Sequence, residues 1–361
     1  MYLKNMWYVA GFADEIGDHP IARTLLEQPL VFFRDRGGQI AALADRCPHR
    51  FAPLSKGAIV GPGKVIQCGY HGLQFDARGR CVHNPHGPIP QAARVPRYEV
   101  CERRGLLWLW GGDPEQADTT LIPDYGDFAE APPDATLRGY LPTQCHYQLV
   151  VDNILDLTHA DYLHAGGLGN GSLTRARAAV TDLSPRSLHV SWKVAGEPTI
   201  AAFDVHLREQ GRATEQWTEV TWTAAGNMHL RTGATLLGEE RSQGVEAMTL
   251  HLATPETATS THYWYWSIRN FAISPDANSQ IHKFIEFAFV QQDKPMLEAQ
   301  QRAMQGREFW SLRPILMASD AGAVSVRRKL DQLVQAELEM HRHQSNEKIR
   351  QPQQPEPGEI R

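Results

Sequence analysis

Short apolar or alternating runs, separated by Gly, Pro and Asp, fill the first third of the chain. Runs of this kind are typical of β-strands joined by tight turns. The final run, GLLWLW, is apolar on both faces, which indicates a buried strand at the end of a domain. We therefore predict an all-β first domain over residues 1–115. Its predicted strands are WYVAGF, RTLLEQPLVFFRD, QIAALAD, KVIQC, LQFDARGRCV and GLLWLW.

The second half of the chain carries both strand and helix patterns. Six alternating runs predict one antiparallel sheet. A strand leading into a helix is predicted near 138–166, and helices near 280–304 and 322–343. The chain is therefore predicted to be an α+β protein whose second domain, residues 136–345, is a sheet flanked by helices. The six predicted strands are SLHVSWKV, AAFDVHLRE, QWTEVTWTA, NMHLRTGA, EAMTLHLATP and STHYWYWSIRNF.

Two further segments have the composition of chain outside a folded core. Residues 111–135 are rich in Pro, Gly and acidic side chains and poor in hydrophobic ones, which is typical of a linker. We place the linker at 116–135. Residues 346–361 have few hydrophobic side chains and several prolines, so we expect a disordered tail there.

The overall composition is that of an ordinary globular protein. Hydrophobic residues make up 42% and charged residues 21% of the 361 residues, enough to bury two cores. The net charge of -5 argues against binding to nucleic acid or to an anionic membrane. No apolar run approaches the length of about 20 residues that a membrane-spanning helix needs, and the N-terminus lacks the apolar core of a signal peptide. The spacing of the five cysteines favours free thiols, and hence a cytoplasmic protein.

Two pairs of Cys and His stand among Pro and Gly in the first domain. One residue separates Cys47 from His49, two separate Cys68 from His71, and 18 lie between the pairs. Structural zinc usually takes Cys–Cys and His–His pairs at other spacings. A Rieske cluster places two Cys on one iron and two His on the other. The pattern therefore favours a [2Fe–2S] cluster held by these four side chains, with a single zinc ion as the alternative.

A second group of metal-ligating residues follows the linker. Two His and one carboxylate form the facial triad of mononuclear non-haem iron, which leaves open positions for chemistry. His159 and His164 are about 140° apart around a regular helix, so they can bind one ion only if the helix distorts or ends between them. Gly166 and Gly167 follow directly and favour an end there. The alternative is two unrelated His on a buried helix.

These motifs resemble the oxygenase components of Rieske non-haem iron oxygenases. The stretch CPHR…CGYHG resembles their cluster-binding domain, and Asn153…Asp156-x2-His159-x4-His164 resembles their catalytic domain. The resemblance covers nearly the whole chain. It implies a Rieske [2Fe–2S] domain, a linker, and a catalytic domain in which a curved antiparallel sheet and its helices hold a mononuclear Fe(II).

The resemblance also implies the third ligand of this iron. In the family it is an Asp on a late helix, and Asp293 in VQQDKPMLEAQQ stands at the matching place. Asp161 and Glu298 are the rival carboxylates. The alternative for Asp293 is a surface carboxylate paired with Lys294.

Asp156 takes a different role by the same resemblance. It is expected to bond His159 through its carboxylate and to fix the tautomer of that ring, with Asn153 as a neighbouring catalytic residue. The family forms head-to-tail homotrimers. The resemblance thus implies an electron path from His71 of one chain through Asp156 to His159 of the next.

Within the family, KNMWYVAG, CPHRFAPLS, ATPET and SIRNF resemble the vanillate O-demethylase and dicamba monooxygenase subgroup. The resemblance implies an aromatic monooxygenase that uses O2 to O-demethylate a methoxylated aromatic acid. The chain has no GxGxxG dinucleotide fingerprint, so a separate NAD(P)H-dependent reductase of flavin or ferredoxin type is expected to supply the electrons. The alternatives are N-demethylation, aryl methyl hydroxylation, arene cis-dihydroxylation, and an electron carrier without catalysis.

Candidate contacts to an aromatic acid lie on neighbouring predicted strands. The strand His262–Trp266 offers aromatic faces. Asn227, His229 and His251 are the predicted substrate-binding residues, because their side chains could hydrogen-bond a carboxylate. The alternative for each is a strand residue that faces solvent.

Overall fold

The computed structural model describes residues 2–350, and the first part of this range is built from strands. Three antiparallel sheets have the strand orders β1-β11-β10, β2-β3-β4-β9 and β5-β6-β7-β8. The predicted all-β character is therefore confirmed. The strands are β1 (Trp7–Phe12), β2 (Ile21–Leu25), β3 (Gln28–Arg34), β4 (Ile40–Ala44), β5 (Ala58–Val60), β6 (Val65–Gln67), β7 (Gln74–Phe75), β8 (Cys81–His83), β9 (Arg97–Tyr98), β10 (Val100–Arg103) and β11 (Leu106–Trp110).

One seven-stranded antiparallel sheet organises the rest of the chain, with the order β12-β18-β17-β16-β15-β14-β13. Its adjacent strands pair in register over up to ten residues, as β15 and β16 do. The sheet and the helices around it confirm the predicted α+β class. The strands are β12 (Thr136–Thr143), β13 (Ala179–Ser184), β14 (Ser187–Glu197), β15 (Thr214–Thr223), β16 (Asn227–Leu236), β17 (Val245–Thr257) and β18 (Ser260–Arg269).

Most of the helices pack on one face of this sheet, whereas the first helix packs on the other face through Phe128. They are α1 (Gly126–Glu130), α2 (Tyr147–Leu155), α3 (Ala160–Leu163), α4 (Ser172–Arg175), α5 (Ala201–Asp204), α6 (Pro275–Glu286), α7 (Lys294–Met304) and α8 (Ala321–Arg350). A π-helical segment, Phe287–Asp293, joins α6 to α7, so the helix predicted over 280–304 is interrupted. Helix α8 continues past 346, where the tail was predicted to begin, and residues 351–361 of that tail lie outside the described residues.

One predicted strand, AAFDVHLRE, is wrong. Its residues form helix α5 and the turn after it. Phe203 and Leu207, four residues apart, are both buried, whereas Val205 between them is 54% exposed. A strand would place all three on one face, so the burial follows a helical period. Strand β13, which the alternation did not predict, takes the edge position of the sheet.

The two faces of the large sheet have different neighbours. Leu250, Leu252 and Trp264 pack in one buried cluster with Trp7 and Trp108 of the first domain. The other face packs against α2 and α8 through residues such as Val190 and Trp222. No helix among residues 2–350 is long and apolar enough to cross a membrane.

Candidate metal centres and substrate cavity

The two Cys/His turns share one backbone geometry. Cys47 accepts a hydrogen bond from the N–H of Phe51 and donates to the carbonyl of Ala52. Cys68 accepts from Gly72 and donates to Leu73, at the same spacings. Residues 51 and 72 both have positive φ, 59° and 76°. The local sequence therefore folds two equivalent loops that present a thiol and an imidazole side by side.

Burial separates the sulfur ligands from the nitrogen ligands. Cys47 and Cys68 are 1% exposed and lie in the core of the first domain. The rings of His49 and His71 lie at the surface with centroids 4.6 Å apart. Among residues 2–350, no three of these four side chains bring their ligand atoms within 4.8 Å of one another, as ligands of one tetrahedral zinc would. The arrangement fits a two-iron cluster with a buried Cys end and an exposed His end.

The Pro-rich loop 84–90 packs over the second turn. The Nε2 atom of His86 lies 3.0 Å from the carbonyl oxygen of His71. The ring of Pro85 lies so close to Gly72 that a side chain there would contact it. The loop therefore shields the backbone of the His71 turn and leaves the imidazole at the surface.

The second centre forms where helix α2 ends. The regular helix stops at Leu155, a 3-10 turn covers Leu157–His159, and α3 then runs to Leu163. The side chain of Asp156 accepts hydrogen bonds from the N–H and hydroxyl of Thr158, at 3.1 and 2.6 Å, and so caps the new turn. Helix α3 ends at Leu163, between the two His, as their spacing requires, and their ring centroids lie 5.4 Å apart.

Asp293 joins the two His at the end of the π-helical segment. Its Oδ1 atom lies 3.5 Å from Nε2 of His159 and 3.2 Å from Nε2 of His164. Among the described residues this is the group of three whose ligand atoms lie within 4.8 Å of one another. Two N donors and one carboxylate at one corner of a pocket match the facial arrangement for Fe(II). The short distances between these atoms are those of groups that share one ion.

The rival carboxylates are engaged elsewhere. Asp161 accepts hydrogen bonds from the N–H groups of Asn170, Gly171 and Thr174. Glu298 accepts from the N–H of Gln144 and pairs with Lys294 at 3.7 Å. Neither belongs to the group of three side chains around the two His.

Both ring orientations are fixed through Nδ1. His159 Nδ1 donates to the backbone carbonyl of Asp156 at 2.7 Å. His164 Nδ1 donates to Oε1 of Gln292 at 2.8 Å, and Nε2 of that Gln donates to the carbonyl of Leu163 at 2.8 Å. These bonds place the proton on Nδ1 and leave both Nε2 lone pairs for a metal.

One interpretation of the sequence needs correction here, and one residue was missed. We expected the carboxylate of Asp156 to bond His159, but the backbone carbonyl does so, because the carboxylate caps the 3-10 turn. Gln292 was not identified from the sequence. Its position directly before Asp293 was the available signal, but its contact with His164 depends on packing between α3 and the π-helical segment.

Asn153 lies beside the three candidate ligands. Its Nδ2 atom is 3.4 Å from Nε2 of His159 and 3.4 Å from Oδ1 of Asp293. The side chain projects from the last turn of α2. An amide N–H at this position can donate to the free lone pair of the carboxylate or to a ligand of the metal.

A cavity of about 470 Å³ opens from this centre along the large sheet. Aromatic side chains wall much of it, which suits a flat apolar ligand. Of the described residues that line it, Asp293 and Arg269 carry a formal charge. The aromatic lining residues are Trp192, Phe203, Trp217, Phe271, Phe284 and Phe289.

Strand alternation decides which predicted substrate residues reach the cavity. His251 lines it, together with Thr249 of the same strand face and Leu230 opposite on β16. Asn227 and His229 lie on the other face of β16 and do not line it, so the cavity gives these two predictions no support. His229 packs on Phe128, with ring centroids 5.5 Å apart, and Asn227 donates to the carbonyl of Ala224. The sequence alone does not show which face of β16 lines the cavity.

His251 is 1% exposed and has one hydrogen-bond partner among the described residues. Its Nδ1 atom lies 2.5 Å from the hydroxyl of Tyr263, and its Nε2 atom has none. Burial lowers the pKa of His251 to about 3, so the ring is neutral at ordinary pH. A buried imidazole nitrogen without a partner is uncommon and marks a place for a ligand.

Comparison with known proteins supports the same picture. Residues 6–98 match the family model of the Rieske [2Fe-2S] domain. Residues 143–336 match that of the vanillate O-demethylase oxygenase C-terminal domain. The chain belongs to the Rieske oxygenases. It contains the cluster-binding domain and the catalytic domain in the expected order, which confirms the resemblance seen in the motifs.

Two relatives and one solved structure match nearly the full length of this Rieske oxygenase. The oxygenase component of chloroacetanilide N-alkylformylase from Rhizorhabdus wittichii is 39% identical, over 93% of this chain and 97% of that protein. The oxygenase component of dicamba O-demethylase from Stenotrophomonas maltophilia is 36% identical, over 93% and 99%. A crystal structure of dicamba monooxygenase bound to 3,6-dichlorosalicylic acid has a TM-score of 0.86 at 35% identity, covering 93% and 99%.

Family membership establishes the coarse activity. This Rieske oxygenase is the oxygenase component of a monooxygenase system of the O-demethylase and N-dealkylase type. Its cofactors are a Rieske [2Fe–2S] cluster and a non-haem iron, with reducing equivalents from NAD(P)H. An electron carrier without catalysis, one of the alternatives from the sequence, is thereby excluded.

Proposed function

We propose that this oxygenase O-demethylates a methoxylated aromatic acid with O2 and electrons from a separate reductase. The cavity carries the proposal: it leads from the Asp293 group along aromatic walls to Arg269. Within residues 2–350 the guanidinium of Arg269 bonds neutral acceptors only, which are Asn278 Oδ1 and the carbonyls of Asp134 and Ala272. A buried cation without a carboxylate partner favours an anionic substituent on the substrate.

The ligand assignments belong to this proposal. Cys47, His49, Cys68 and His71 hold the cluster within a domain over 1–115. His159, His164 and Asp293 hold the iron within a domain over 136–345. The buried thiols, the imidazoles at the surface and the free Nε2 lone pairs support these assignments.

The chain's own residues position the substrate and exclude water. When bound, the cluster supplies single electrons and the iron supplies the site at which O2 is reduced and oxygen enters the methyl C–H bond. Phe284 and Phe289 enclose the ring of the substrate beside the metal corner. Asn153 donates a hydrogen bond to the carboxylate of Asp293. His251 faces the polar substituent of the substrate.

N-dealkylation of an aromatic amide is the second candidate. The 39% identical relative is named an N-alkylformylase oxygenase component. Leu230, not a polar side chain, stands opposite Thr249 in the cavity wall. Because an apolar side chain occupies this part of the wall near His251, the cavity there favours a neutral ligand.

A product screen separates the candidates. Holoenzyme, a generic ferredoxin-type reductase, NADH and O2 are incubated with methoxybenzoates, N-methylanilides and toluene. We expect formaldehyde with stoichiometric phenol from one or more methoxybenzoates. Formaldehyde from the anilides alone would support N-dealkylation. A dihydrodiol or a benzyl alcohol as the sole product would contradict both.

A further inference from the structure

The hydrogen atoms around His251 can be assigned by counting donors and acceptors. A tyrosine hydroxyl has one hydrogen to donate, and a neutral imidazole has one N–H and one lone pair. Tyr263 is buried, and within residues 2–350 its hydroxyl has His251 Nδ1 as its partner, at 2.5 Å. If Nδ1 carried the proton, the hydroxyl hydrogen would have no acceptor among these residues. Leaving a buried hydroxyl hydrogen without an acceptor is unfavourable.

We propose that Tyr263 is a positioning residue that holds His251 in its Nε2–H tautomer and so makes the cavity select substrates with an acceptor oxygen. The hydroxyl donates to Nδ1 and the imidazole proton lies on Nε2, on a ring that lines the cavity. Tyr263 does not line the cavity itself and acts through His251. Nε2 has no hydrogen-bond partner among residues 2–350, so the ligand completes the bond.

This inference deepens the proposed function and rests on it, because it treats the cavity as the substrate site. A carboxylate oxygen and an amide carbonyl both accept a hydrogen bond, whereas an amine or a phenol offered as donor would face an N–H group. The tautomer therefore selects a class of ligand that is common to the two candidate reactions. It excludes ligands that offer only donors at this place.

Neutron diffraction from crystals of the deuterium-exchanged holoenzyme tests the tautomer directly. We expect deuterium on Nε2 of His251 and on the Tyr263 hydroxyl, directed at Nδ1. Deuterium on Nδ1, with the hydroxyl directed elsewhere, would overturn the inference. This experiment does not depend on turnover. It can therefore refute the tautomer while the proposed demethylation stands, and it can confirm the tautomer even if the demethylation is refuted.

Ligand binding tests the consequence. Dissociation constants of 3-methoxyacetophenone and 3-ethylanisole, which differ by one carbonyl oxygen and are both uncharged, are measured calorimetrically with anaerobic holoenzyme. We expect the ketone to bind about tenfold more tightly to the native protein. Tyr263→Phe should remove most of this preference, because Nδ1 can then hold the proton. A general loss of packing would instead weaken the binding of both ligands by the same factor.

Tyr265→Phe is the matched control. Tyr265 lies two residues after Tyr263 on β18 and, like Tyr263, packs beside the ring of Phe289, with centroids 5.2 Å apart. Its hydroxyl makes no hydrogen bond to a described residue. This variant should keep the tenfold preference. A native protein that binds the two probes equally or binds neither, or a Tyr263→Phe protein that keeps the full preference, would overturn the inference.

Discussion

At the scale of single residues, the metal centre depends on groups that are not ligands. The Nδ1 partners of the two His differ in kind: one is the backbone carbonyl of Asp156, and the other is the side chain of Gln292. A backbone partner persists in any substitution that keeps the turn. A side-chain partner can be removed without changing the fold, so Gln292 offers the sharper test.

Gln292→Met should lower iron occupancy of the mononuclear site. Met keeps the length of the side chain but cannot accept from His164 Nδ1 or donate to the carbonyl of Leu163. Loss of such a partner weakens metal binding about 10- to 100-fold. Iron content measured against a chelator series checks this, and the cluster absorbance should not change. The control is Gln291→Met at an exposed neighbouring position, and equal iron retention in both variants would contradict the role of Gln292.

At the scale of elements, the sequence predicts features that depend on neighbouring residues, such as turns and helix ends. It does not predict features that depend on packing between distant elements. The Cys47 and Cys68 turns and the break between His159 and His164 follow from short-range spacing, so the sequence was sufficient. The face of β16 that meets the cavity is set by pairing with β17 and β15. If the register of β16 shifted by one residue, His229 would take the place of Leu230 in the cavity wall. Composition alone does not fix that register. The π-helical segment likewise depends on contacts beyond its own sequence.

Gly169→Ala should disturb the iron site through helix α3. An added methyl would overlap the carbonyl oxygen of Ala160 and the Cα of Asp161, which are backbone atoms that cannot turn aside. The segment between His159 and His164 must therefore move. We expect lower iron occupancy and a lower melting temperature. Gly17→Ala, where nothing lies within 4 Å, should match the native protein, and a fully iron-loaded Gly169→Ala would contradict this reading.

Arg327→Met should destabilise the attachment of α8 to α2. Arg327 is 5% exposed, donates three hydrogen bonds to Asp152, and bonds Gln148 at 3.0 Å. Removing one partner leaves a largely buried carboxylate unpaired, at a cost of about 3 kcal/mol. Urea denaturation followed by circular dichroism measures the loss. The exposed Arg328→Met is the control, and adding Asp152→Leu to Arg327→Met should restore part of the stability.

At the scale of the whole molecule, the two centres must exchange electrons. Of the imidazoles in the cluster turns, His49 is exposed and His71 is half-buried, and this position at the surface suits electron transfer to a neighbouring protein. We propose a head-to-tail homotrimer in which the cluster of one chain faces Asp156 of the next. Among the described residues of one chain, both hydrogen bonds of the Asp156 carboxylate use Oδ1, which leaves Oδ2 for a partner.

Asp156→Asn should therefore keep both metals and the trimer but slow electron transfer strongly. The amide oxygen can still accept from Thr158, whereas the charge that would meet a cluster imidazole is lost. Stopped-flow reoxidation of the prereduced cluster in the presence of substrate and O2 measures the step. Native reoxidation rates in an iron-replete variant would dismiss this role for Asp156.

The central claim is that one chain holds two separate iron centres. Iron and acid-labile sulfide per chain, measured on anaerobically purified native protein and on His164→Ala, test it most directly. We predict about three irons and two sulfides for the native protein. The variant should hold about two of each, with an unchanged Rieske spectrum. Zinc in place of iron, or a third iron retained in His164→Ala, would contradict the account.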